Sequence, residues 1–160
     1  MIDRDLKELL LALNAHEVEY LVVGGYAVGT HSEPRATKDL DIFIRADEKN
    51  SVSVYRALAA FGAPLQGLTP DDFKGESSSF FQIGAPPNRI DILQSIDGVS
   101  FDEAWKDRID GVVDGSVSAH FISREHLIQN KLAAGRRQDL ADVEALREAA
   151  RSQNQSKGNQ

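Results

Sequence analysis

The alternation of apolar and polar residues divides the chain into short strands and amphipathic helices. Leu6, Leu9, Leu10 and Leu13 recur at helical spacing behind Asp3, which reads as an N-cap. Tyr20–Val23 is a short apolar run suited to a buried strand and ends in Gly24-Gly25. The "YAVGTHS" that follows predicts a short helix, which Pro34 prevents from continuing far. In the next strand, Leu40, Ile42 and Ile44 share one face. Asp47 then caps a helix that carries Val52, Tyr55, Leu58, Ala59 and Phe61 and closes at Gly62.

The middle of the chain, "GAPLQGLTPDDFKGESSS", is rich in Gly, Pro and Ser and predicts a loop with one helical turn after Thr69. Phe80–Ile83 and Arg89–Leu93 read as strands joined by "GAPPN". Ser100 and Glu103 are spaced as a capping box for a helix through Trp105. "VVDGSVSAHFI" predicts a hairpin turning at Asp114-Gly115. Ser123 caps a helix with Leu127, Ile128, Lys131 and Leu132, and a last helix begins near Asp139 with Leu140, Val143 and Leu146. The expected architecture is one α/β (α+β) domain over residues 1–151, a small mixed β-sheet flanked by helices. Residues 152–160, "SQNQSKGNQ", read as a polar, disordered tail.

Composition narrows the function classes. The chain has 160 residues, a usual size for one core, with 41% hydrophobic and 27% charged residues. A net charge of -7 argues against a wholly basic, nucleic-acid-coating surface. Cysteine is absent, which excludes disulfides and thiolate metal sites. No signal-peptide pattern opens the chain and no apolar run is long enough to span a bilayer, so a cytoplasmic protein is expected.

One local pattern is chemically expensive. Asp39 and Asp41 lie one residue apart in an otherwise apolar strand, so their carboxylates point the same way. Like charges that close repel and raise each other's pKa unless a cation intervenes. Hard oxygen ligands of this kind suit Mg²⁺. Gly24-Gly25 stands where a strand turns into a helix, and helix N-terminal N–H groups favour an approaching phosphate. Asp91, in "NRIDIL", would bring a third carboxylate if its strand neighbours the first. Two metal ions held by such a set can clamp the attacking and leaving oxygens of a phosphoryl or nucleotidyl transfer.

Taken singly, each feature has a plainer reading. Gly24-Gly25 fits a tight turn, Asp39 and Asp41 a solvated strand face, and Arg89 with Asp91 a local ion pair. Lys131, Arg136, Arg137 and Arg124 fit a solvated helix face, with Arg136 and Arg137 marking a joint between helices. His31, His120 and His126 lack metal-ligand spacing, and His16 suits the end of the first helix. Phe101 and Trp105 at i, i+4 read as core. "GGYAVG" does not have dinucleotide-binding spacing, and no P-loop lysine follows it.

Together, "VGGYAVGTHSEPRATKDLDIFI" and "RIDIL" resemble the signature of the nucleotidyltransferase superfamily, whose fold is DNA polymerase beta-like. "NKLAAGRRQDLADVEAL" resembles a later motif of its AbiEii-type toxin branch. The resemblance implies that Asp39, Asp41 and Asp91 hold two Mg²⁺ ions, with Mn²⁺ as a substitute, and that Asp91 helps to activate an acceptor hydroxyl. Gly24 and Gly25 would lie against the phosphates, Lys131 would contact them, and Asp139 matches a position that the branch keeps. Arg35, Thr37 and Lys38, in "RATKD", would complete the nucleotide site. Gly25 replaces the serine of many relatives, removing one hydroxyl contact. The implied reaction moves an NMP group from a nucleoside triphosphate to an acceptor hydroxyl. RNA or a tRNA end in a toxin–antitoxin setting, a small molecule and a protein all remain open as acceptors. So do a homodimer or a cognate antitoxin partner, and a catalytically silent nucleotide- or partner-binding domain.

Overall fold

The protein is described by a computed structural model that covers residues 4–33, 39–75, 80–85 and 88–158. The elements follow in the order α1 (Arg4–Ala15), β1 (Tyr20–Val23), α2 (Gly24–His31), β2 (Asp39–Ile44), α3 (Glu48–Phe61), a 3₁₀ turn (Pro70–Phe73), β3 (Phe80–Ile83), β4 (Arg89–Leu93), α4 (Phe101–Lys106), β5 (Ile109–Val113), β6 (Val117–Phe121), α5 (Arg124–Ala134) and α6 (Arg137–Gly158). Among the described residues, six strands form one mixed sheet in the order β3-β4-β2-β1-β6-β5. Strands β1 and β2 are antiparallel, whereas β2 pairs β4 and β1 pairs β6 in parallel.

Period-two alternation on the central strands builds two cores, one on each face. Tyr20, Val22, Leu40, Ile42 and Ile44 point to the face covered by Leu6, Leu9, Leu10 and Leu13 of α1 and by Val54, Ala57 and Leu58 of α3. Leu21, Val23 and Phe43 point to the other, where Ala27 and Val28 of α2, Ala104 of α4, Leu127 of α5 and Leu146 of α6 meet them. Each fully buried leucine or isoleucine contributes roughly 1.5–3 kcal/mol relative to exposure. The result is a three-layer α/β/α arrangement, the expected helix-flanked mixed sheet.

Local signals are realised at most element ends. The Asp47 side chain accepts from the backbone N–H of Asn50 at 2.7 Å, Ser100 caps α4 and Ser123 caps α5. The β5–β6 hairpin turns at Asp114 and Gly115, whose φ values of 52° and 72° give the left-handed pair that a two-residue turn requires.

Three boundaries differ from expectation. Helix α2 starts at Gly24 itself rather than after the glycine pair. Helix α6 begins at Arg137, because the Asp139 carboxylate reaches back to the backbone N–H of Arg136 at 3.2 Å and closes the first turn. The segment read as a disordered tail from residue 152 instead continues α6 to Gly158. Its Gln, Ser, Asn and Lys residues lack apolar anchors but contain no proline, so propensity extends a helix already nucleated by packing. Gln153 also accepts from Arg124 Nη2 at 3.1 Å, tying the extension to α5. Asp3 and Pro34 lie outside the described residues.

Candidate active site

Strand register assembles the site. Asp41 of β2 stands opposite Val23 of β1 on one side and opposite Asp91 of β4 on the other. Asp39 stands opposite Arg89, and Gln82 of β3 opposite Asp91. The three carboxylates therefore converge on one sheet face, at the edge of the core formed by Phe43 and Leu93. Parallel pairing of β2 with β4 brings this about.

Gly24 completes the cluster's border. Its φ is +68°, and a Cβ there would come within 2.1 Å of Asp41 Oδ2, so any side chain would collide with the carboxylate. Val23 precedes α2 in extended conformation and offers no side-chain cap, leaving the helix's first N–H groups for another acceptor.

The cluster's electrostatics are unbalanced. Asp91 is only 7% exposed. Arg89 Nη2 lies 3.2 Å from Asp91 Oδ2 and 3.6 Å from Asp39 Oδ2. Gln82 Nε2 donates to Asp91 Oδ1 at 3.1 Å. The Arg89 guanidinium thus lies within ion-pair distance of two of the three acids. Burial pushes the Asp41 carboxyl up to about 6; repulsion from Asp91, a hydrogen bond shared with it and the Asp39 charge add to the rise, against the pull of Arg89.

Opposite the sheet stands a second charged group. Lys131 of α5 is buried, with Nζ 3.3 Å from Asp139 Oδ1 and 3.1 Å from Asp142 Oδ2. Arg136 Nε donates to Asp139 Oδ2 at 2.7 Å. That guanidinium holds the Asp139 carboxyl below its ordinary value, with Lys131 assisting against burial. A cavity of about 260 Å³ separates the two groups, bordered by Gly24, Asp41 and Leu93 on the sheet side and by Asn130, Lys131, Arg136 and Asp139 on the helix side.

The sheet therefore gathers Asp39, Asp41, Asp91 and Gly24, and Lys131 and Asp139 face Gly24 and Asp41 across the cavity. Gly25 follows in α2. Arg35, Thr37 and Lys38 lie outside the described residues. Gln82 and Asp142 were not singled out from sequence. The Arg89–Asp91 ion pair exists, but inside the carboxylate cluster rather than instead of it. His31, His120 and His126 are engaged singly, with the Ile122 carbonyl, Asp110 and Ser123, and His16 meets the Ala12 carbonyl. Trp105 stacks on Phe101 at 5.6 Å, as core packing requires.

The profile of a family described as "nucleotidyltransferase of unknown function (DUF6036)" matches residues 1–150. The chain belongs to this nucleotidyltransferase family. Solved nucleotidyltransferase structures share its fold. One is the lincosamide antibiotic adenylyltransferase LnuA with bound lincomycin, at TM-score 0.59 and 16% identity, covering 93% of this chain and 98% of that one. A provisionally assigned nucleotidyltransferase from Thermotoga maritima has TM-score 0.58 and 18% identity over 93% of this chain and 92% of its own. The antibiotic-resistance factor ANT(2'')-Ia has TM-score 0.58 and 14% identity over 92% of this chain and 82% of its own. At these identities the likeness is one of fold. No curated protein matches the sequence.

The carboxylate oxygens of Asp39, Asp41 and Asp91 are hard donors of the kind that suits a divalent cation, and Gly24 places no side chain against Asp41. Among the described residues, no three acidic or histidine side chains are arranged to enclose an ion as they lie, and Arg89 supplies the neighbouring positive charge. No described helix is long and apolar enough to cross a membrane.

Proposed function

We propose that the protein transfers an NMP group from a Mg²⁺-bound nucleoside triphosphate to the hydroxyl of a small acceptor molecule. The observation that carries this reading is the juxtaposition of Asp39, Asp41 and Asp91 beside the glycine start of α2. Two divalent ions held there would neutralise the phosphates and polarise the α-phosphorus. Asp39, Asp41 and Asp91 hold that charge in place. Gly24 and Gly25 admit the triphosphate to the uncapped N-terminus of α2. Lys131 faces the triphosphate from the opposite wall. Asp91 receives the acceptor's proton as the oxygen attacks the α-phosphorus; the bond from that phosphorus to the bridging oxygen breaks and pyrophosphate departs. Orientation and charge placement supply most of the acceleration in such a transfer.

Three observations favour a small acceptor over an RNA end. The cavity is about 260 Å³. Three of the basic residues on α5 and at its joint with α6 are engaged within the chain: Arg124 with the His31 carbonyl and Gln153, Lys131 with Asp139 and Asp142, Arg136 with Asp139. Two of the similar structures are an antibiotic adenylyltransferase and an antibiotic-resistance factor, and LnuA is matched over 98% of its length.

The test supplies Mg²⁺ and each of four α-³²P-labelled nucleotides to purified protein, with panels of hydroxylated small molecules, bulk tRNA or lysate protein. Label is expected in a small molecule and absent with Asp41→Asn. Label in tRNA would replace the acceptor by RNA and return the toxin–antitoxin setting. Nucleotide binding without transfer to any acceptor would favour a silent binding domain. Size-exclusion chromatography of the same preparation tests for a homodimer or a bound antitoxin.

A further inference from the structure

Arg89 is the cation nearest the carboxylates among the described residues. It occupies the first position of β4, directly across from Asp39 and two residues before Asp91, so strand geometry turns all three side chains to one face. Its Nη2 stands between the two carboxylates, at 3.2 Å and 3.6 Å. Yet the pairing is incomplete: Arg89 Nε is buried and has no hydrogen-bond acceptor. A guanidinium selected for a permanent carboxylate pair forms two parallel N–H···O bonds. Here one nitrogen is shared by two acids and the neighbouring donor is left unused. The side chain is also one-third exposed, with room to leave.

We propose that Arg89 is an exchangeable counter-cation, holding the carboxylates of the empty site and yielding them to divalent metal that arrives with the nucleotide. The inference rests on the metal-dependent reading above and adds an order of events to it. A fixed positive charge among the ligands opposes any free divalent ion, so the nucleotide-free protein binds metal weakly. A triphosphate brings negative charge of its own, which offsets that opposition and lets ion and nucleotide enter together. Free Mg²⁺ therefore does not lock the site before substrate is present. The carboxylates stay gathered in the meantime, because Arg89 replaces part of the charge that the ions would provide.

The second cation nearby does not substitute for it. Lys131 lies across the cavity and is already shared between Asp139 and Asp142. Gln82 contacts Asp91 but carries no charge. Among the described residues, the Arg89 guanidinium is the cation that spans Asp39 and Asp91.

Electron paramagnetic resonance of Mn²⁺ tests the proposal without reference to turnover. Free and bound ion are measured with wild type, Arg89→Gln, Arg89→Met and Arg89→Lys, each with and without a non-hydrolysable triphosphate; circular dichroism verifies the fold. In the absence of nucleotide, Arg89→Gln and Arg89→Met are expected to bind Mn²⁺ about ten- to a hundredfold more tightly than wild type. Arg89→Lys, which keeps the charge, should remain close to wild type. In wild type the triphosphate should strengthen Mn²⁺ binding strongly, and the gain should shrink in the two neutral variants. Folded neutral variants that bind free Mn²⁺ no better than wild type would overturn the exchange while leaving the metal site intact. No Mn²⁺ binding by any protein, even with triphosphate, would overturn the metal-dependent reading and this inference with it.

Discussion

Two acidic clusters face each other across one cavity, and the fold treats them in opposite ways. On the helix side, Asp139 and Asp142 are matched by Lys131 and Arg136, two acids against two bases, and the Asp139 carboxyl is held below its ordinary value. On the sheet side, among the described residues, Arg89 lies within ion-pair distance of Asp39 and Asp91, and Asp41 is pushed up to about 6, chiefly by burial. Asp91 and Asp139 are both buried, yet Arg136 holds the Asp139 carboxyl down whereas burial and the neighbouring acids raise Asp41. The balanced cluster closes the α5–α6 joint. The sheet-side cluster is the one that the proposed function assigns to divalent cations.

Substitution should separate the two roles. The largest effect is expected at Asp41→Asn, which should lower transfer by at least about a thousandfold, roughly 4 kcal/mol of transition-state stabilisation. At pH 8 without metal, the same variant should melt no lower than wild type, since it removes repulsion rather than a bond. If it instead unfolds the protein, Asp41 belongs with the structural cluster and the contrast fails.

Lys131→Met should show the reverse signature in urea denaturation. It removes the cation shared by the buried Asp139 and Asp142, leaving Asp139 with Arg136 and Asp142 with the Gln138 amide, at a cost of up to about 3–5 kcal/mol. Adding Asp142→Asn to that variant should restore part of the loss, because the two sites are coupled.

The pH dependence of the nucleotide-free protein sharpens the comparison. The folded Asp41 pKa lies above its unfolded value of 3.8, so the folded state keeps a proton that the unfolded state has lost. Stability from this group is therefore fully present below about pH 4 and is lost as pH rises to about 6, by on the order of 2–3 kcal/mol. Asp139, whose folded pKa is depressed, runs the other way: its contribution is present above the ordinary carboxylate pKa and is lost on acidification below it. Melting profiles of Asp41→Asn and Asp139→Asn should lose these opposite slopes one at a time.

Gly24→Ala should cost about 1–2 kcal/mol from its left-handed backbone, and more in activity, because the new methyl group displaces the Asp41 carboxylate. The smallest effect belongs to Arg136→Ala. Its side chain is 79% exposed, so the change should cost no more than about 1 kcal/mol while the Asp139 pKa, followed by NMR, rises.

Much of this was legible from the residues because the signals are local. Period-two alternation placed Asp39 and Asp41 on one strand face, and caps such as Asp47, Ser100 and Ser123 marked helix starts. Asp91 was a conditional member, since only register decides whether β4 lies beside β2. Gln82 carried no signal at all: a glutamine in "FFQI" gains meaning once it is paired opposite Asp91. Asp142 could have been found, because Asp139 and Asp142 are three apart on a helix and share the face that meets Lys131. The polar stretch after residue 151 misled because composition registers missing apolar anchors, whereas a helix already under way needs only the absence of a breaker.

The most direct test of the central claim compares two labels. Protein, Mg²⁺ and an accepted small hydroxylated molecule are incubated with the same nucleotide carrying ³²P at the α or at the γ position, for wild type and Asp41→Asn. Nucleotidyl transfer predicts that the α label enters the acceptor, the γ label leaves as pyrophosphate, and both events vanish with chelator or in the variant. Entry of the γ label into the acceptor, or unchanged transfer by Asp41→Asn, would contradict the account.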